Sequence, residues 1–418
     1  MNYKPNPLLY GACENFSSNF KLVITLRSEV NHAALSRAVE KAMVRYPYFS
    51  VSPEKEGDCI WLRPNSRPVP VFDDDRRVVL GTEQACGHLL TFGCQENKIF
   101  LNASHYIADG MGIEPVWKTV LYFYVSELYG TDGLNTQKIQ LPDAPVCAEE
   151  YEYPFPDRPV NIDTQYLPKN APDSVYKLDP TVFDDKGSYA YHLHIPQRAM
   201  MAMANPSDGS PVSFLSVMLY RAICSLDSNV LLPVVAHVQH QYRAALEAPL
   251  SRHSMVCYIP ISLSPKAKEW SVMQQNTVVR GQILLGSEAA ADMRAVNNML
   301  EAFPQNATLS EKQQAMRKFV DDSICRKTFG VSYVGKTDWC GFEQYVTDIH
   351  AYIGEKNTPN MLLMEIMTIG DDFTINFMQS GRGDRYVKAF MEQLQAFDIP
   401  VRMIGEQRYT LCDVKIPE

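Results

Sequence analysis

The chain has 418 residues, too many for one core of ordinary size, so two domains or more are expected. Hydrophobic residues make up 46% and charged residues 21%, which excludes a disordered chain. The net charge is −9, from 39 basic against 48 acidic side chains, and with no basic excess to displace counterions nonspecific nucleic-acid binding is excluded.

The opening MNYKPNPLLYGACENF lacks the apolar run of a secretory signal, and no window approaches about eighteen uninterrupted apolar residues, so neither export nor a membrane helix is expected. The ten cysteines are scattered without a CxxC pair, a pattern that fits a reducing compartment and makes the cytoplasm the expected location.

In chain order, residues 21–26 (KLVITL) read as a strand. Asn31 then caps a helix in which Leu35, Ala38, Val39, Ala42 and Met43 recur at helical spacing, and Pro47 stops it. Residues 59–62 read as a further strand. Residues 89–92 and 99–104 flank the polar turn 95–98 and predict a hairpin. A helix follows with Trp117, Val120, Leu121, Tyr124 and Leu128 on one face and Gly130 as its C-terminal cap.

From Pro142 to Pro180 prolines are frequent and helical periodicity is lost, which predicts an extended crossover. A second unit then begins with a strand over 189–195, a helix over 213–226 and a β-branched strand over 230–238. A helix at 311–325 and strands near 330–334, 362–366 and 373–378 come next. The last helix is expected to be capped by Asp384 and to bury Val387, Phe390, Met391 and Leu394. The domains are accordingly placed at 1–145 and 181–418, with 146–180 as the linker.

The strongest chemical constellation is His105, Asp109 and Gly110, on a loop between a hairpin and a helix, where rigid elements hold side chains for chemistry. A histidine there suits a general base, because its proton change falls near neutral pH. Asp109 could orient the ring or hold the loop through a cation elsewhere, and Gly110 would permit a tight turn. The blander alternative is a surface histidine with Asp109 serving as a helix N-cap. His192 and His194 share one face of a strand, but no third metal ligand is in view. His237 and His240 fall on opposite faces.

Residues 88–110 (HLLTFGCQENKIFLNASHYIADG) resemble the active-site hairpin of the CoA-dependent acyltransferase superfamily, which includes chloramphenicol acetyltransferase, alcohol acetyltransferases, plant BAHD acyltransferases and nonribosomal peptide condensation domains. Residues 30–49 (VNHAALSRAVEKAMVRYPYF) resemble its first helix, with Arg45, Tyr46 and Pro47 at the corner. Residues 212–243 resemble a second-domain helix and strand ending in an arginine, and 329–336 (FGVSYVGK) a late signature strand. There are departures. Ser104 stands where the amide-forming branch has the first of two histidines, Tyr333 replaces an asparagine, and no DFGWG-like loop lies near residues 335–339.

The resemblance implies an α/β fold of two chloramphenicol acetyltransferase-like domains, each a mixed sheet covered by helices, with an active-site tunnel at their interface. It implies acyl transfer from acyl-CoA, as donor substrate, to a small-molecule alcohol or amine. His105 matches the catalytic base, Asp109 matches a structural aspartate, and Arg243 is its expected partner. Ser104, Ser332 and Tyr333 are expected along the tunnel. The mechanism requires no metal. Two alternatives stay open: a freestanding condensation-like enzyme fed by an acyl carrier protein, and a non-catalytic binding protein of the same fold.

Overall fold

Apolar alternation places the strands, and the hydrogen-bond ladder then joins segments that lie far apart in the chain. We describe residues 7–12, 18–154, 172, 174–183, 186–287, 301, 306–324, 326–355 and 362–417 of a computed structural model. Most of the chain's first 17 residues, and the linker over 155–171 and at 173, lie outside the described residues.

The first half runs β1 (Ser18–Leu26), α1 (His32–Met43), β2 (Val51–Glu56), β3 (Cys59–Pro64), β4 (Val71–Phe72), β5 (Val79–Leu80), β6 (Leu90–Gln95), β7 (Lys98–Ser104), α2 (Gly110–Tyr129) and the short α3 (Ala148–Tyr151). The Asn31 side chain accepts from the Ala34 N–H at 2.9 Å, and α1 buries the expected face before ending at Met43, ahead of Pro47. The β6–β7 hairpin turns through Glu96 and Asn97, with Glu96 at φ +53° as a two-residue turn of this hand demands.

The second half runs β8 (Lys186–Pro196), α4 (Gln197–Ala204), α5 (Pro211–Leu226), β9 (Val234–Gln241), β10 (Val256–Leu263), α6 (Val272–Gly286), α7 (Leu309–Ile324), β11 (Phe329–Tyr333), β12 (Val346–Glu355), β13 (Leu362–Ile369), β14 (Asp372–Gly381), α8 (Arg385–Gln395), β15 (Arg402–Tyr409) and β16 (Asp413–Val414). The strand expected from 230 starts instead at Val234, because Pro233 has no N–H to give the ladder, and it continues to Gln241. Asp384 sits at the cap position of α8, but its carboxylate pairs with Lys388 at 2.6 Å and makes no capping bond.

Two mixed sheets result, in the orders β12-β1-β7-β6-β4 and β10-β9-β11-β13-β14-β8-β15. In the first, β1 is antiparallel to both β12 and β7, while β4 and β6 are parallel. In the second, β11 is parallel to β9 and β13, and the remaining pairs are antiparallel. β12 and β16 follow residue 181 yet pair with β1 and β5, so the segment 181–418 supplies strands to both halves.

Each sheet has its own apolar core. α1 and α2 pack on the first, around Leu35, Tyr46, Phe92, Trp117 and Tyr124, and α5 and α8 on the second, around Phe214, Tyr220, Phe377 and Phe390. Val23, Phe100, Tyr352, Leu363 and Met378 form a smaller cluster between them. Strand β13 shows the division residue by residue: Met364 and Ile366 enter the second core, whereas Leu363 and Met367 face the first half. Among the described residues no single helix is long and apolar enough to cross a membrane.

Candidate functional site

His105 follows directly on β7. Its backbone N–H donates to the Ser18 carbonyl at 2.9 Å, tying the loop to the start of β1. Its ring lies against Phe20, with centroids 4.7 Å apart, and is half-buried. The next residues, Tyr106, Ile107 and Ala108, are buried in the first core. The loop is therefore a packed wedge that presents one imidazole outward, and such packing limits the positions the ring can take.

Behind this wedge Asp109 does two things at once. Its Oδ1 accepts from the Gly112 N–H at 2.8 Å, so it is the N-cap of α2. The same carboxylate accepts from Arg243 Nη2 at 2.7 Å and Nη1 at 2.9 Å, and its Oδ2 takes the Met255 N–H at 2.9 Å. The capping reading and the ion-pair reading are thus both true of this residue. Arg243 spends its other donors on the Ser251 and His253 carbonyls, at 3.0 and 2.9 Å. The carboxylate and guanidinium are 2% and 4% exposed, so this charge-assisted pair sits out of water and fixes the loop from the second half of the chain.

The 250–253 loop is itself braced. Arg252 donates its backbone N–H to the Glu150 carbonyl at 3.0 Å, and the Glu150 carboxylate holds buried Arg45 in a fork at 2.8 and 3.1 Å. Tyr48 adds a hydroxyl bond to the same carboxylate at 2.6 Å. Burial pushes the Glu150 carboxyl up, but the bonds from Arg45 and Tyr48 outweigh it, and the group stays below its ordinary value. Arg45, at the corner after α1, thereby supports the loop that grips Asp109.

A cleft of about 930 Å³, counting space open to solvent, lies between the two halves. Phe20, His105, Asp109, Gly110, Met111 and Trp117 come to it from the first half. Gln239, His240 and Gln241 reach it from β9, Ser332 and Tyr333 from β11, Ala351 and Ile353 from β12, and Glu365 and Met367 from β13.

Of the residues singled out in the sequence, His105, Asp109, Gly110, Ser332 and Tyr333 line this cleft. Arg243 stands behind the loop, as Asp109's partner. Ser104 does not line the cleft: it is fully buried, and its Oγ accepts from the Tyr106 N–H at 3.3 Å. Gly110 needs no left-handed backbone, since its φ is not positive. The glycine the turn cannot spare is Gly112, where a Cβ would sit 2.2 Å from the Arg252 carbonyl oxygen.

Sequence reasoning missed Glu365. It is 2% exposed, accepts from the Ser332 hydroxyl at 3.0 Å through Oε1, and has an Oε2 with no hydrogen-bond partner among the described residues. Burial pushes its carboxyl up to about 8, against the opposing pull of the Ser332 bond. The available signal was one carboxylate inside an otherwise apolar strand, LLMEIMTI.

His192 and His194 join a polar network between the sheets. His194 Nε2 and His350 Nε2 meet Asp348 Oδ2 at 3.2 and 3.1 Å, and His192 stacks on His350 at 4.0 Å. Burial pushes Asp348 up, but the two histidine bonds hold it well below the usual carboxylate range. Among the described residues no His, Cys, Asp and Glu cluster is arranged to hold a metal ion. The β9–β10 register runs without a bulge, so His237 and His240 lie on opposite faces of β9 as their spacing predicts, with His237 buried and stacked on Tyr258 at 5.6 Å.

No protein-family model matches the chain, and no curated protein matches it in sequence. Solved structures do match. Polyketide synthase associated protein 5 from Mycobacterium tuberculosis aligns with 92% of this chain and 97% of its own, at TM-score 0.60 and 12% identity. F. graminearum TRI101, complexed with coenzyme A and deoxynivalenol, aligns with 95% of this chain and 97% of its own, at TM-score 0.58 and 10% identity. The starter condensation domain of rhizomide synthetase, in complex with C8-CoA, aligns with 94% of this chain and 91% of its own, at TM-score 0.56 and 12% identity. The chain therefore has the two-domain chloramphenicol acetyltransferase-like fold that its motifs imply.

Proposed function

We propose that the protein is an acyltransferase that moves an acyl group from acyl-CoA to a hydroxyl or amine, with His105 as the general base. The observation that carries the reading is the His105 imidazole at a cleft between the two halves, on a loop clamped by the buried Asp109–Arg243 pair. A base held this firmly loses little further freedom on reaching the transition state.

In this mechanism the neutral imidazole takes the proton from the acceptor O–H or N–H as the acceptor's lone pair attacks the thioester carbonyl carbon. A tetrahedral intermediate forms, with the carbonyl electrons moved onto oxygen. Its collapse restores the carbonyl and breaks the C–S bond, and the imidazolium gives its proton to the leaving thiolate. Protons and charge balance without a metal.

The donor's chemistry suits the lining. No Lys or Arg is among the cleft residues, while Gln239 and Gln241 offer amides beside Phe20, Met111 and Trp117. An uncharged pantetheine arm with its own amides fits such a surface, and its phosphates would stay outside. The neighbours crystallised with coenzyme A or C8-CoA support this choice of donor.

The test is thiol release by purified protein given acetyl-CoA and longer acyl-CoAs with a panel of alcohols and amines. Acceptor-dependent release is expected. Release only from a carrier-protein thioester would replace the donor, and silence with both donors would favour a binding role.

A further inference from the structure

Three carboxylates line the cleft; Asp109 is paired with Arg243 and Glu114 with Lys118 at 2.6 Å, and three observations bear on the third, Glu365. It stands on the face of β13 that looks toward the first half, between Leu363 and Met367, while its strand neighbours Met364 and Ile366 enter the second core. Ser332, its register partner on β11, donates a hydroxyl to Oε1. Glu365 lines the cleft, and its Oε2 is buried with no hydrogen-bond partner among the described residues.

An ionised carboxylate in that position would need a cation, and none lines the cleft as Lys or Arg. The titratable groups that share the cleft with it are His105, His240, Asp109, Glu114 and Tyr333. On β12, Asp348, His350 and Tyr352 are occupied with His192 and His194. The opposing residue on β14 is Asn376, whose Nδ2 donates to the Ala351 carbonyl at 2.8 Å. Protonation removes the cost of the charge and turns Oε2 into an O–H, and burial holds the proton on up to about pH 8. With Ser332 filling Oε1, Oε2 is the oxygen left to donate, on a residue that lines the cleft.

We propose that Glu365 is a neutral carboxylic acid whose Oε2–H donates a hydrogen bond to an uncharged oxygen of the substrate, a carbonyl or a hydroxyl. The role deepens the acyltransferase reading and rests on it. Glu365 selects and positions substrate oxygen while His105 handles the transferred proton.

The experiment pairs two variants with two readouts. In Glu365→Gln the amide keeps a donor of the same shape, and turnover at pH 7 is expected to stay within a few-fold of wild type. In Glu365→Met the donor is gone, and turnover is expected to fall about 10- to 100-fold with the melting temperature held or raised. Above about pH 8, wild type should lose activity by ionising this group, and Glu365→Gln should lack that limb. A rise in KM for acyl-CoA would place the bonded oxygen on the donor, and a rise in KM for the acceptor would place it there.

Infrared difference spectra of wild type minus Glu365→Gln supply the second readout. A protonated-carboxyl C=O band is expected at pH 7, lost near pH 8, and shifted when acyl-CoA or acceptor is added. A band that is absent, or that ignores both substrates, overturns the proposal, the latter by assigning the O–H to an internal partner such as Asn376. Glu365→Gln as impaired as Glu365→Met, or Glu365→Met fully active, overturns it as well. A wild type that turns over no thioester fails the acyltransferase reading itself, and the substrate contact falls with it.

Discussion

The Arg243 guanidinium meets the Asp109 carboxylate in a two-bond fork, at 2.7 and 2.9 Å, and joins the second half of the chain to the loop carrying His105. Removing either partner leaves a buried charge uncompensated, so Arg243→Ala and Asp109→Ala should each cost about 3–5 kcal/mol in urea unfolding. The double variant should cost clearly less than their sum, since the two act as one unit. Additive losses would mean that the fork contributes little. Arg243→Lys, which cannot make the fork, should lose turnover even where the fold survives.

Gly112 and Gly110 should respond differently to alanine. A Cβ at Gly112 meets the Arg252 carbonyl at 2.2 Å, backbone that the Glu150 bond holds in place. Gly112→Ala should therefore destabilise by about 1–3 kcal/mol. A Cβ at Gly110 meets only Val334 Cγ1, at 3.2 Å, on the cleft wall. Gly110→Ala should leave the melting temperature nearly unchanged and act on substrate use. Thermal melts beside turnover assays check both.

Ser104→Ala is expected to leave turnover within about two-fold, because the hydroxyl serves the Tyr106 N–H and not the cleft. Its stability cost should be about 0.5–1.5 kcal/mol, the worth of one hydrogen bond. A large kinetic effect in a stable Ser104→Ala protein would contradict this placement.

Buried histidines set the acid limit of stability. Burial pushes His192 and His237 down to about 3, and lowers His88 and His253 as well. These rings charge near pH 6.5 when unfolded but stay neutral when folded, so unfolding takes up protons. For His192 and His237 stability is then complete above pH 6.5 and falls as pH drops toward 3, by up to about 1.4 kcal/mol per pH unit for each ring. His194 has the opposite sign. Burial lowers it, but Asp348 raises it further, so it adds stability below its unfolded value and loses that as pH rises through its folded one. In melts from pH 7 to 5, His237→Phe should flatten the decline and His194→Gln should steepen it. Unchanged slopes would refute the assignment.

Much of the site was legible because it is local. The hairpin, the His105 loop and α2 are consecutive, and the turn chemistry and apolar spacing that define them lie within 88–130. Arg243 was reached through resemblance, since nothing local in the sequence says which carboxylate it meets. β12 went unread because its alternate residues Asp348, His350 and Tyr352 are polar and find partners on β8, which hides the apolar pattern of a buried strand. The requirement at Gly112 comes from the Arg252 carbonyl, distant in the chain, and so was misassigned to Gly110. The continuous apolar run of β13 concealed that its two faces differ, one entering a core and one bearing Glu365 into the cleft.

The central claim is that His105 moves the proton, and the most direct measurement is acceptor-dependent thiol release by His105→Ala beside wild type, with matched melting temperatures. The account predicts a fall of about 10²- to 10⁴-fold in the variant, and a wild-type rate that declines at acidic pH as the imidazole becomes protonated. A folded His105→Ala protein that releases thiol at the wild-type rate would contradict it.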